Sequence, residues 1–229
     1  MSNYIIVGAD SFVGNALATR LKQLGHFVVG FGFNYVESDD YYRIDYLKNN
    51  WRDLFNNAMQ KYTYKFDGLV FSVGLMTHDS IHDLTYREWN KTLDVNQTAF
   101  IFTVKDSLQY LSSNASIVGV ASQNGVVGHE DRISYGATKA AMIQLIKDVQ
   151  VDLSKSGFTK LRINAISPGY IWRDEFEKDS KIDALKHKTL TGNFVSVDQV
   201  VSVINFLLSD QSLGILGQNI IVDNGYTVV

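Results

Sequence analysis

The chain has 229 residues, 45 % of them hydrophobic, which is enough for one well-buried core. A formal net charge of −3 without a basic patch excludes a surface that gathers nucleic acid or anionic lipid. Cysteine is absent, which excludes disulfides, thiolate metal sites and a cysteine nucleophile; with neither a signal-type leader nor roughly 18 uninterrupted apolar residues, a cytoplasmic protein is expected.

The first β-branched run, 4–8, reads as a strand and runs into Gly8-Ala9-Asp10-Ser11-Phe12-Val13-Gly14, after which 13–24 carries a helical period. A glycine turn there lets backbone and free helix N–H groups approach a pyrophosphate, and Gly14 permits close packing of helix on strand. Gly-x5-Gly alone describes any tight βα turn equally well; its place in the first βα unit favours the binding reading. The second strand, 27–31, is followed by Gly32, where an acid would hold the ribose of NAD or an arginine the extra phosphate of NADP. Asp10 in the turn disfavours a second phosphate, so of NAD and NADP the expectation tilts toward NAD.

Strands at 42–44, 68–73, 115–121, 161–167 and 219–222 then alternate with helices at 51–60, 86–110, 135–153 and 197–208. That alternation predicts an α/β fold: a single-domain, Rossmann-type, doubly wound parallel sheet with helices on both faces, spanning 1–229. The polar, charged stretch 170–195 has no strand character and is expected to form a substrate lid.

Tyr135 and Lys139 open the 135–153 helix four residues apart, hence on one face. An ammonium beside a phenol favours phenolate and brings its pKa toward working pH for proton exchange with an alcohol or carbonyl. In isolation Tyr-x3-Lys is more often a surface pair. Ser122, directly after the 115–121 strand and thirteen residues before Tyr135, adds a donor for the reacting oxygen.

In this order the motifs resemble the short-chain dehydrogenase/reductase family, its classical branch in particular, over nearly the whole chain. The resemblance rests on the glycine turn, Asp45-Tyr46, Phe71-Ser72-Val73-Gly74, Asp94-Val95-Asn96, Val120-Ala121-Ser122, Tyr135 to Lys139, and the segments 162–169 and 217–223. It implies an NAD(P)-dependent oxidoreductase that reduces a carbonyl or oxidises a secondary alcohol, with 3-oxoacyl reduction as the nearest broad comparison. Tyr135 would exchange the proton, Lys139 would lower its pKa and hold the nicotinamide ribose, Ser122 would polarise the carbonyl, and Asn96 would extend a relay through Lys139. Cofactor contacts are implied at Gly8, Ser11, Phe12, Val13, Gly14, Asp45, Tyr46, Ser72, Val73, Gly74, Tyr135, Lys139, Pro168, Gly169 and Ile171. The implied partners are a small-molecule carbonyl or alcohol and further copies of the chain, as a dimer or tetramer.

The pattern also departs from that branch. Val7 replaces a threonine, and Phe12 replaces the middle glycine, so that Phe12-Val13-Gly14 looks like the extended branch, which includes sugar-nucleotide epimerases. Trp172-Arg173 stands where a threonine is common, and Arg173 is expected to pair with Asp174 or Glu175. His78 and His82 sit four apart, but no third ligand is placed, so a solvated loop rather than a metal site is expected. Two alternative functions follow: a catalytically idle NAD(P)-binding regulator or scaffold, and a reductase or epimerase-like step in surface-polysaccharide synthesis.

Overall fold

A computed structural model describes residues 1–178 and 180–228; residue 179 of the expected lid lies outside it. Seven parallel strands form one sheet in the order β3-β2-β1-β4-β5-β6-β7. They are β1 (Asn3–Val7), β2 (Phe27–Gly32), β3 (Asp40–Arg43), β4 (Phe66–Phe71), β5 (Leu111–Val120), β6 (Arg162–Pro168) and β7 (Asn219–Val222). Each expected strand is present, β7 with the expected bounds and the others with ends displaced by one to a few residues.

Alternation along the strands explains the two helical layers. Ile5, Val7, Leu69, Phe71, Ile117 and Ile163 face one side, where they pack under α2 (Trp51–Met59), α4 (Ala99–Ser107) and α5 (Ile133–Lys155). Tyr4, Ile6, Val70, Val118 and Ile166 face the other, under α1 (Phe12–Gln23) and α7 (Val197–Leu208). A strand buried on both faces needs a continuous apolar run, which is how these strands read in sequence. Arg162 fastens β6 to the end of α7: its buried guanidinium donates to the carbonyls of Leu207 (3.0 Å) and Ser209 (3.1 Å), where the helix dipole favours a cation.

The long helix expected over 86–110 is present as one continuous helical run that changes pitch: α3 (Tyr86–Leu93), a wide π turn (Asp94–Thr98), α4 and a 3-10 turn (Leu108–Tyr110). Within the expected lid stand a 3-10 turn (Asp174–Lys178) and α6 (Ser180–Lys186). The two ends of that insert are zipped together: Trp172 N–H donates to Val195 O at 2.7 Å and Val195 N–H to Tyr170 O at 2.9 Å. Among the described residues no helix is long and apolar enough to cross a membrane.

Candidate active site

Chain order reverses at β1: β2 and β3 build outward on one side, β4 to β7 on the other. Ligands bind where the carboxyl ends of two such strands part. A cavity of about 420 Å³ lies there, lined by Gly8, Asp10, Ser11, Gly32, Phe33, Ile44, Asp45, Tyr46, Leu47, Val73, Gly74, Leu75 and Val95. That volume falls in the range of small-ligand sites.

The glycine turn is held tightly against the end of β4. Gly8 has φ +85°, a conformation costly to any residue with a Cβ, and a Cβ there would lie 2.6 Å from Val73 N. Ser72 locks the arrangement: its hydroxyl lies 2.9 Å from Gly8 O, 3.1 Å from Val7 O and 3.1 Å from the Ser11 hydroxyl. Ser11 in turn caps α1, accepting from Gly14 N–H at 3.0 Å. Among the described residues no acceptor takes the Phe12 or Val13 N–H, so the helix start presents free donors toward an anion.

The expected cofactor residues therefore divide. Gly8, Ser11, Asp45, Tyr46, Val73 and Gly74 line the cavity. Gly14, Val13 and Ser72 are buried behind it as supports. The Phe12 side chain is turned away, into a groove between α1 and α7 with Asn15, Asp198 and Val201, and the Arg173 guanidinium lies 4.8 Å from its ring. Only the Phe12 backbone keeps the expected place. Arg173 also pairs with Glu175 at 3.4 Å, the partner expected for it. Tyr46 packs on Trp51 and Phe71, and its buried hydroxyl finds no partner among the described residues.

The second half of the site is built on α5. Its start lacks a cap of its own, and Asp79 from the loop after β4 supplies one: the buried carboxylate accepts from Ser134 N–H at 3.0 Å and from the Ser134 hydroxyl. Ser122, at the end of β5, heads a 3-10 turn (Gln123–Gly125) that lies directly on the α5 backbone. A Cβ on Gly125 would come within 2.6 Å of the Lys139 carbonyl carbon, so glycine permits that approach. Ser122, Tyr135 and Lys139 are thereby brought together.

Lys139 is almost solvent-free, at 2 % exposure, and burial pushes its ammonium down to about 8. Its Nζ donates to Val120 O at 2.8 Å and stands 5.6 Å from the Tyr135 ring centre. The same Nζ lies 3.4 Å from where a Gly74 Cβ would be, which joins the trio to the cavity wall. For Tyr135, burial pushes the phenol up, against a smaller pull down from the Ser122 hydroxyl and then the Arg132 guanidinium. Ser122 and Arg132 are the groups that draw the phenol down here, while the Lys139 ammonium is bonded to Val120 O.

Asn96 sits fully buried in the π turn. Its Oδ1 accepts from Leu75 N–H at 2.7 Å, while its Nδ2 donates to Leu75 O and to the Thr138 hydroxyl, both at 3.0 Å. It therefore ties the cavity loop to the residue preceding Lys139. Pro168 ends β6 and Gly169 and Ile171 follow it, outside the lining of the cavity, with a Gly169 Cβ position 2.9 Å from Gln123 Oε1. Sequence reasoning missed Asp79, Arg132 and an aromatic group beside Ser122: Gln123 contacts His129 at 3.4 Å, His129 stacks on Tyr226, and Tyr170 stacks on Phe194.

A family model described as enoyl-(acyl carrier protein) reductase matches residues 8–227. The 3-oxoacyl-[acyl-carrier-protein] reductase of Rickettsia felis (strain ATCC VR-1525 / URRWXCal2) is 26 % identical over 236 residues, covering 98 % of this chain and 96 % of its own. A short chain dehydrogenase family protein from Francisella tularensis subsp. tularensis SCHU S4 shares the fold with a TM-score of 0.90 at 23 % identity, each chain covered completely. So does a 4-hydroxyisoleucine dehydrogenase solved with NADH, with the same score, identity and coverage.

Proposed function

Because the chain belongs to the short-chain dehydrogenase/reductase family and is an NAD(P)-dependent oxidoreductase, we propose that it reduces a carbonyl or oxidises a secondary alcohol through Ser122, Tyr135 and Lys139. The observation that carries this reading is the position of Lys139, buried between the Tyr135 ring and the Gly74 wall of the cavity. The cradle suits a dinucleotide, with free N–H groups at the start of α1 for the pyrophosphate and Asp45 and Val73 along the cavity; Pro168, Gly169 and Ile171 are assigned to the nicotinamide end by the family resemblance alone. When bound, that group supplies or accepts the hydride.

The chain's own residues handle the proton. Burial keeps the Tyr135 phenol protonated, so in reduction it is the acid that delivers a proton to the substrate oxygen. Ser122 aligns that oxygen by hydrogen bonding, and Lys139, exchanging protons near pH 8, stands behind Tyr135 to restore what it gives. Asn96 acts as a positioning residue through Leu75 and Thr138. The aromatic group of His129, Tyr170, Phe194 and Tyr226, with the 170–195 insert as lid, gives the substrate side an apolar wall. An acyl or aromatic ketone fits such a wall, and 3-oxoacyl reduction remains the nearest comparison because the Rickettsia relative carries that name.

Of the two dinucleotides we take NAD as favoured, since the cavity wall carries Asp10 and no cation. A homo-oligomer through the α4/α5 face is supported by an apolar groove of about 220 Å³ there, which includes Ile101, Val104, Val149 and Phe158.

The test is to titrate NADH and NADPH by fluorescence and assay a panel of ketones with wild type and Tyr135→Phe. Turnover should fall by about 10²-fold or more in the variant with cofactor affinity unchanged. Binding of neither dinucleotide, or full activity without the phenol, refutes the assignment.

A further inference from the structure

At the end of β2, where an acid would grip the adenosine ribose of NAD, this chain has Gly32. The place is nonetheless filled. A Cβ on Gly32 would collide with Asp10 Oδ1 and stand 2.5 Å from the Tyr41 hydroxyl. The parallel register explains this: Val7 pairs with Phe31, so the turn that leaves β1 runs beside the residues that leave β2. Asp10 is held there by the chain it faces, its Oδ2 accepting from Phe33 N–H at 3.0 Å and Asn34 N–H at 2.8 Å. Its Oδ1 takes no donor among the described residues, and Asp10 is part of the cavity lining.

We propose that Asp10 replaces the missing acid of β2: its free carboxylate oxygen accepts from the ribose hydroxyls of NAD and repels the 2′-phosphate of NADP. This rests on the reading of the cavity as a dinucleotide site. The acid has moved 22 positions in sequence while keeping its place in space, and the glycine at position 32 is what leaves room for it.

A second residue sharpens the assignment. Arg43, the last residue of β3, holds its guanidinium 4.9 Å from the Phe33 ring, and Phe33 lines the cavity while Arg43 does not. Both charges are felt at the Tyr41 hydroxyl, which burial and Asp10 push up and Arg43 pulls down. With Asp10 ionised, a phosphate approaching this wall meets an anion first. With Asp10 neutralised, Asp45 is the acid left in the lining and the Arg43 guanidinium stands one aromatic ring away from it, behind Phe33.

The experiment is fluorescence titration of NADH and NADPH against the full chain as wild type, Asp10→Asn, Asp10→Ser and the double variant Asp10→Asn with Arg43→Ala. Asparagine keeps an oxygen for the Phe33 and Asn34 N–H groups, and serine is the second variant should asparagine fail to fold; the wild-type ratio needs no variant. Wild type should bind NADH on the order of tenfold tighter than NADPH, the worth of a charge-assisted hydrogen bond. Asp10→Asn should erase that ratio, mostly by gaining NADPH affinity, and Arg43→Ala should remove the gain. Wild-type preference for NADH that survives both Asp10 variants overturns the role of Asp10 and leaves the NAD reading intact. Equal affinities or a preference for NADPH in wild type overturns the proposal and the NAD reading with it. Binding of neither refutes the dinucleotide site itself.

Discussion

Replacing Lys139 by methionine should abolish turnover and yet stabilise the fold at neutral pH. The ammonium is 2 % exposed and its pKa falls from 10.5 unfolded to about 8 folded. That difference amounts to roughly 3 kcal/mol of penalty for burying the charge. Below about pH 8 both states carry the proton and the whole penalty is present. Between about 8 and 10.5 the unfolded chain still holds a proton that the folded chain has released, so wild-type stability rises with pH in that window. Methionine fills similar volume without charge, at the loss of the 2.8 Å bond to Val120 O, itself worth about 1.5–3 kcal/mol. The two nearly offset at pH 7, leaving the variant roughly 0–2 kcal/mol more stable. The diagnostic quantity is the change of that difference with pH. Denaturant unfolding of both proteins from pH 7 to 9.5 should show wild type gaining roughly 2 kcal/mol on the variant between pH 8 and 9.5. A difference independent of pH, or a variant several kcal/mol less stable at pH 7, would show that Lys139 is not held as a strained charge.

Ser72→Ala removes a hydroxyl that ties Gly8 O, Val7 O and Ser11 together, and should cost about 1–2 kcal/mol in urea unfolding at unchanged m-value while weakening NADH binding. Intact affinity for NADH would show that the glycine turn keeps its shape without that lock. Arg132→Gln removes one of the two groups that pull the Tyr135 phenol down, so the rise of kcat/KM for alcohol oxidation, which needs the deprotonated form, should move to higher pH. An unmoved pH profile would disconnect either Arg132 from Tyr135 or Tyr135 from the reaction.

Seven strands and their helices were readable because a parallel sheet covered on both sides demands short, continuously apolar strands separated by helical periods, and those local patterns survive without knowledge of the partners. The helical stretch over 86–110 runs its expected length, but the π turn inside it has a tertiary cause. Asp94 to Thr98 have no local feature that calls for a π turn; Asn96 is buried in it, bonded to Leu75 and Thr138, and that pull exists only once β4 and α5 are in place. The division of the glycine motif was equally hidden. Phe12 and Ser11 are adjacent in sequence, but the helix start sends one side chain toward α7 and the other into the cap.

A linear motif transmits only part of a site. Tyr135, Lys139 and Ser122 follow from spacing on one helix plus one strand end, so a linear pattern suffices to join them. The charge on the cavity wall beside Gly32 does not follow from any spacing, because it depends on which residue of one βα turn lies beside the end of another strand. Val7 opposite Phe31 decides that, and it places Asp10 against Gly32. A reader of the second strand alone finds a glycine and no acid; the register supplies the acid from the first turn. Specificity in a parallel sheet is therefore written across neighbouring strand ends, and a substitution at either end changes the same wall.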